Sequence, residues 1–176
     1  MALARLDAYE SSKFVRRGYL AARYSRRLEL CDYKVALEER GYDVPARWLL
    51  GKHQVEGLVD NNADTFVVPN EEASGFAIDD AEDIDDSDFL IAFTEEPRVG
   101  GTRGGRHWEL GYASGLRRAR WPERDPRIFL VGPLEHVFTS LPLYGTNPAH
   151  PHALIDARFE TFTHFLVALD NGDVAL

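Results

Sequence analysis

The chain is poor in cysteine and has no long apolar run, and these absences exclude several classes of protein. Cys31 is the only cysteine in 176 residues, which excludes an intrachain disulfide and a zinc site built on several cysteines. No stretch has the length and apolar character of a membrane span, and none has the form of a signal peptide. We therefore expect a cytoplasmic protein with no membrane partner.

Basic residues are fewer than acidic ones: the chain has 20 Lys and Arg and 29 Asp and Glu, which gives a net charge of −9. This balance argues against nucleic acid as a partner. The charge is uneven, however: residues 13–27 carry six basic residues and no acid, whereas residues 79–96 carry nine acids and no base. Each cluster is typical of a solvated face, although a basic patch in an acidic protein also suits a small anion such as phosphate.

The length and an apolar content of 44% suit one domain, which we place at 15–176 after an N-terminal extension at 1–14. Apolar runs predict strands at 15–22, 42–49, 89–93 and 127–131 and near 153–155. Helical periods predict helices from Ser25 to Gly41 and at about 77–86, 107–117 and 159–169. Strands that alternate with helices predict an α/β fold with five parallel strands, doubly wound and covered on both faces.

A glycine-rich stretch at 100–105 separates the predicted strand 89–93 from the following helix, where open α/β sheets bind ligands. Gly104 and Gly105 would let backbone N–H groups approach a substrate. Glu109 falls in the predicted first turn of the helix, where the helix dipole favours an ionised carboxylate. Glu109 is therefore a candidate nucleophile, or else an ordinary first-turn acid.

Asp80 is a second carboxylate predicted near a helix start and facing the same crevice. Two carboxylates can divide the work of nucleophile and proton handler, and this suits cleavage of a glycosidic bond. The alternative is that Asp80 is one of several equivalent acids, because Asp79, Asp83 and Asp85 are close by.

Further candidates for substrate binding follow the first strand. Arg23, Ser25 and Arg26 could hold a phosphate through charge-assisted hydrogen bonds, or be plain surface residues, with Ser25 as a helix N-cap.

Four aromatic residues could stack on a flat base or pack into the core. They are Tyr19, Tyr24, Trp48 and Trp108. His107 is a further candidate for substrate binding. His150 and His152 lack a third ligand nearby, so we predict no metal.

Several motifs make the chain resemble the nucleoside 2-deoxyribosyltransferase superfamily, which includes nucleoside 5′-monophosphate N-glycosidases. The motifs are Tyr19-Leu20-Ala21-Ala22, Asp80 eight residues before Asp88, Gly104-Gly105-Arg106-His107-Trp108-Glu109-Leu110-Gly111-Tyr112-Ala113, and Val131-Gly132-Pro133 with Glu135 and Val137-Phe138. Together they cover about 15–169.

The resemblance implies a flavodoxin-like, Rossmann-like three-layer sandwich with a five-stranded parallel sheet and no cofactor. It also implies a homo-oligomer, a dimer or larger, with sites near subunit interfaces. Glu109 would attack the anomeric carbon to form a glycosyl-enzyme intermediate, which water or another base resolves. Asp80 would anchor or protonate the substrate, and Tyr19 would position the glutamate or the sugar.

Many relatives have glycine and proline after the tyrosine motif, where Ala22 to Arg27 stand here, and this favours a nucleotide substrate. Nucleoside transferases tend to carry aspartate where this chain has Arg103, and similar members often have asparagine in place of His136. We therefore expect cleavage of the N-glycosidic bond of a nucleoside 5′-monophosphate or (deoxy)nucleoside, by hydrolysis or by base transfer. The alternatives are a non-catalytic nucleotide-binding or sensing module on the same fold and an unrelated flavodoxin-like protein, for which no flavin signature is present.

Overall fold

A computed structural model describes residues 15–51, 71–96, 104–120, 126–135 and 155–176. The strands are Gly18–Ala21 (β1), Phe89–Phe93 (β2), Arg127–Val131 (β3) and Ala157–Phe159 (β4). The α-helices are Arg27–Glu38 (α1), Glu71–Asp85 (α2), Gly104–Arg120 (α3) and Phe162–Asp170 (α4), and short 3₁₀ helices span Tyr24–Arg26 and Arg47–Leu50. The predicted extension at 1–14 lies outside the described residues.

The described strands form one parallel sheet in the order β1-β2-β3-β4. β1 and β2 are buried along their whole length, as their apolar sequences require in a sheet covered on both faces. Successive side chains point to opposite faces, so Tyr19 and Leu20 of β1 face different helices. Tyr19 contacts α2 and α3, whereas Phe129, on the other face, packs against Phe165 of α4. The α/β fold with a parallel sheet is confirmed.

The strand predicted at 42–49 is reduced to a single parallel bridge between Arg17 and Asp43 in the described part of the chain. The backbone N–H of Gly18 donates to Asp43 O at 2.7 Å, and the N–H of Asp43 donates to Arg16 O at 3.0 Å. The next ladder donor along this segment would be Pro45, which has no N–H. The chain turns into the 3₁₀ helix instead, and the described residues contain four strands rather than the five predicted.

The last strand was predicted at the apolar run 153–155, but β4 begins at Ala157. Residues 153 and 154 lie outside the described residues, and Ile155 is fully buried just before the strand. Pairing is set at Asp156, whose carboxylate accepts a hydrogen bond from the Ile128 N–H at 2.8 Å and whose own N–H donates to Ile128 O at 2.7 Å. A polar residue just before β4 therefore sets its pairing with β3.

Helix bounds differ from the prediction in ways that change the candidate site. α2 begins at Glu71 rather than near Ala77, so Asp80 lies in the middle of the helix and not near its start. α3 begins at Gly104, which puts Glu109 in the second turn rather than the first. Ser25 is not an N-cap, because it lies inside the 3₁₀ helix and no side chain caps α1.

Candidate active site

The site is built around the hydroxyl group of Tyr19, which is fully buried on β1. This oxygen lies 2.7 Å from Oε1 of Glu109 on α3 and 3.1 Å from Oδ1 of Asp80 on α2. A strand and two helices thus bring one hydroxyl and two carboxyl groups into hydrogen-bonding distance. Tyr19 and Glu109 are buried and Asp80 is half-buried, and we call these three residues the tyrosine–carboxyl trio.

Burial raises the pKa values of two members of the trio, Glu109 and Tyr19. Desolvation raises the pKa of Glu109 to about 8; the hydrogen bond from Tyr19 and the charge of Arg106 oppose this rise, and the charge of Asp80 adds to it. Burial also raises the pKa of Tyr19 well above its ordinary value, and the two carboxylates act in the same direction. Near pH 7 Tyr19 is therefore neutral and most Glu109 is protonated.

A hydroxyl carries one proton and can donate to only one carboxylate at a time. When Glu109 is protonated, its O–H can donate to the Tyr19 oxygen while the Tyr19 O–H donates to Asp80. This arrangement satisfies both short contacts with a single direction of hydrogen bonding. The trio can therefore hold one mobile proton between its two ends.

The expectation that the helix dipole keeps Glu109 ionised is wrong. The first turn of α3 contains no acidic residue, and Glu109 is buried with only 6% of its surface exposed. Because the dipole effect fades beyond the first turn, desolvation dominates and the pKa moves up instead of down. Among the described residues, Oε2 of Glu109 is buried and has no hydrogen-bond partner.

Two ion pairs lie at the carboxyl ends of the strands. Arg23, just after β1, binds Glu95 at 3.0 Å, and both side chains are largely buried. Glu135, after β3, binds Arg106 of α3 at 2.5 Å in a pair with almost no exposure. The Glu95 N–H donates to Glu135 Oε2 at 3.1 Å, and Arg106 also donates to Phe93 O at 2.9 Å.

Glu95, Arg106 and Glu135 were not among the predicted site residues. Arg106 lies inside the glycine–glutamate motif and Glu135 in the motif after β3, so both stood beside recognised features. Arg106 and Glu135 are 29 residues apart in the chain, so local sequence patterns do not reveal that they form an ion pair.

The other predicted phosphate ligands are placed as follows. Arg26 binds Glu29 through two hydrogen bonds, at 2.6 and 2.8 Å, and lies over the ring of Phe93 at 5.5 Å. Ser25 is exposed on the 3₁₀ helix. Arg23, Ser25 and Arg26 thus share the edge that follows β1, with both arginines already engaged by carboxylates.

The aromatic candidates separate by burial. Trp48 is a core residue, 4% exposed, whose indole N–H donates to Leu20 O at 2.9 Å. Tyr24 lies beside Trp48 and donates to Gly51 O at 2.9 Å. Trp108, in contrast, is 47% exposed and stacks on Tyr112 with 5.2 Å between ring centroids. Burial thus gives Trp48 a structural place, while its role in stacking on a base stays a prediction.

Gly104 and Gly105 form the first turn of α3, and a Cβ atom on Gly105 would meet nothing within 4 Å. Packing within the described residues therefore does not require glycine at Gly105. His107 is half-buried on the same helix. Residues 97–103, His136, His150 and His152 lie outside the described residues.

None of the helices in the described ranges combines the length and apolar character needed to cross a bilayer. Within those ranges, no group of His, Cys, Asp and Glu side chains is arranged to hold a metal ion.

No protein-family model and no curated protein matches the sequence. Among solved structures, the chain is similar to the CMP N-glycosidase BcmB of Clostridium botulinum, with 20% identity and a TM-score of 0.46. The alignment covers 88% of this chain and 99% of that chain. This similarity concerns the path of the backbone alone.

Proposed function

We propose that this protein cleaves the N-glycosidic bond of a nucleoside 5′-monophosphate or a (deoxy)nucleoside, with Glu109 as the nucleophile. The observation that carries the proposal is the tyrosine–carboxyl trio, in which one tyrosine hydroxyl joins two carboxyl groups at 2.7 and 3.1 Å. Carboxyl groups in different environments can act as nucleophile and acid on the same substrate. Glycosidic cleavage needs this division, because positive charge develops on the sugar while the leaving group gains a proton.

The first step in the proposal is proton transfer along the trio. Glu109 passes its proton to Tyr19, and Tyr19 passes its own proton to Asp80, so Glu109 becomes a carboxylate and Asp80 a carboxylic acid. Glu109 then attacks the anomeric carbon while the carbon–nitrogen bond breaks and its electron pair moves to the base. Asp80 supplies the proton that the base requires.

The second step releases the sugar from Glu109. Water attacks the anomeric carbon, Asp80 accepts a proton from it, and the ester bond to Glu109 breaks to restore the carboxylate. The proton then returns through Tyr19 to Glu109. A second base in place of water would give base exchange, so hydrolysis and transfer share every step up to the glycosyl-enzyme intermediate.

A phosphate on the substrate would bind at the edge that follows β1. Arg23 is the residue best suited to this role, since its guanidinium lies at the end of the strand that carries Tyr19. Glu95 now neutralises Arg23, so a phosphate would compete with this carboxylate for the guanidinium. Ser25 and Arg26 are further candidate ligands on the same segment, and a substrate-binding role for Gly104, Gly105 and His107 is part of the same proposal.

A binding or sensing module is the second candidate, and the pKa of Glu109 favours it. A carboxyl group with a pKa of about 8 is mostly neutral at pH 7, and a neutral carboxylic acid donates hydrogen bonds well but is a poor nucleophile. Such a module would bind a nucleotide without releasing its base.

Chromatography of a panel of nucleosides and 5′-monophosphates, incubated with the wild type or Glu109→Gln, separates the two candidates. Glycosidase chemistry predicts base released by the wild type only, at a rate on the order of 10⁴-fold or more above that of the variant. A labelled free base in the same assay detects transfer. Tight nucleotide binding to both proteins with no base released by either would instead establish the binding module.

A further inference from the structure

The guanidinium group of Arg47 makes an unusually dense set of contacts with α2. It donates to Oδ1 of Asp83 at 2.8 Å, to Oδ1 of Asp79 at 2.7 Å, to the backbone oxygen of Asp79 at 2.7 Å and to Oε2 of Glu82 at 3.0 Å. The backbone N–H of Arg47 donates to Oδ2 of Asp83 at 2.7 Å. One residue therefore binds three acidic side chains and a carbonyl group of a single helix.

These three acids all lie on the same side of Asp80 around the axis of α2. With 3.6 residues in each turn, Asp80 lies about 60° around the helix from Asp83 and about 100° from Asp79. The contacts of Arg47 with Asp79, Glu82 and Asp83 therefore constrain the rotation of α2 about its axis, and with it the direction in which Asp80 points.

Arg47 is itself held in place through β1, the strand that carries Tyr19. Trp48, next to Arg47, is buried and donates its indole N–H to the backbone oxygen of Leu20, the residue after Tyr19. The contacts form a closed ring that leads from Leu20 through Trp48 and Arg47 to α2, and returns from Asp80 to Tyr19. A ring that starts and ends on β1 fixes Asp80 relative to the Tyr19 hydroxyl.

We propose that Arg47 is a positioning residue, which holds Asp80 against the Tyr19 hydroxyl by fixing the rotation of α2. This rests on the proposed function, in which Asp80 moves a proton to and from the substrate. Arg47 also neutralises three carboxylates close to Asp80 in sequence. These acids belong to the acidic cluster at 79–96, which is typical of a solvated face in the sequence alone.

An ordinary surface ion pair is the competing interpretation, because the Arg47 side chain is 36% exposed and exposed pairs contribute little. The Arg40–Asp170 pair offers a matched control. It is a two-bond arginine–carboxylate pair, at 2.7 and 2.8 Å, and it joins other elements. Arg40→Ala should leave the rate of base release unchanged.

A double-mutant cycle tests the proposal. Arg47→Ala is introduced into the wild type and into Asp80→Asn, and kcat/KM for base release is measured with the melting temperature. We expect a loss of about 10²-fold in the wild type, mainly in kcat, as for a misplaced catalytic group. In the Asp80→Asn background the same change should cost less than about 3-fold. Equal losses in both backgrounds would mean that Arg47 acts on the fold alone.

A second measurement does not depend on activity. In a crystal structure of Arg47→Ala we expect the Tyr19 hydroxyl and Oδ1 of Asp80 to lie beyond hydrogen-bonding distance. An unchanged contact near 3.1 Å would overturn the positioning role whether or not the wild type releases a base. A wild type that releases no base, together with a displaced Asp80 in the variant, would refute the glycosidase and retain the role of Arg47.

Discussion

The Tyr19 hydroxyl lies 2.7 Å from Oε1 of Glu109, although 90 residues separate the two along the chain. The contact is buried, and burial keeps both groups protonated to a higher pH than their ordinary pKa values would. The consequences of this contact can be measured in activity and in stability.

The proposed glycosidase activity should fall as pH rises, because the trio loses the proton that Glu109 passes through Tyr19 to Asp80, with a midpoint near the Glu109 pKa of about 8. Asp80→Asn removes the group that receives this proton, so its residual activity should instead rise with pH as Glu109 ionises, and at a lower pH because a negative charge that raises the Glu109 pKa is gone. Tyr19→Phe interrupts the proton transfer and removes a hydrogen bond that lowers the pKa of Glu109, so its residual activity should rise at a higher pH. Profiles of kcat/KM against pH measure both shifts, and shifts in the same direction would contradict the charge arrangement.

Stability should depend on pH through the same carboxyl group. The pKa of Glu109 is about 8 in the folded protein against an ordinary 4.5, so the folded state binds more protons between these values. The free energy of unfolding of the wild type, relative to that of Glu109→Gln, should be greatest below pH 4.5. It should fall by roughly 1.4 kcal/mol for each pH unit up to about 8. Urea unfolding of both proteins from pH 5 to 9 measures the difference, and parallel curves would show that Glu109 is not buried as described.

Substitution of Glu95 should change the preference between substrates. Glu95 binds Arg23 at 3.0 Å and would compete with a phosphate, so Glu95→Gln should lower KM for 5′-monophosphates about 10-fold and leave KM for nucleosides nearly unchanged. Arg23→Ala should raise KM for the monophosphate alone. Steady-state kinetics on matched pairs of nucleoside and monophosphate check both variants. Equal effects on the two substrates would contradict a phosphate-binding role for Arg23.

The Arg106–Glu135 pair should be important for folding. Its side chains are 1% and 0% exposed, so Glu135→Gln leaves a buried guanidinium without its counter-charge. We expect a loss of about 3–5 kcal/mol in the free energy of unfolding, measured with urea. Asp170→Asn, which breaks an exposed pair with Arg40, serves as the control and should change stability far less.

Much of the fold could be predicted from local patterns. The apolar runs at 89–93 and 127–131 coincide with β2 and β3, because an uninterrupted apolar run suits a strand that is covered on both faces. The prediction of a strand at 42–49 is wrong because Pro45 has no backbone N–H to donate the next hydrogen bond of a parallel ladder. The predicted start of α2 is wrong because residues 71–76, which have only a weak apolar pattern, are part of the helix.

The sequence by itself determined that a tyrosine, an aspartate and a glutamate would be candidates for one site, because motifs and the order of strands and helices are local properties. Only the tertiary structure decided how these groups are protonated and held. The pKa of Glu109 follows from burial and from charges on other elements, and two acids close to Asp80 on α2, Asp79 and Asp83, are bound by Arg47, more than 30 residues earlier in the chain. Desolvation and long-range ion pairs depend on distances in space, which no period or motif along the chain contains.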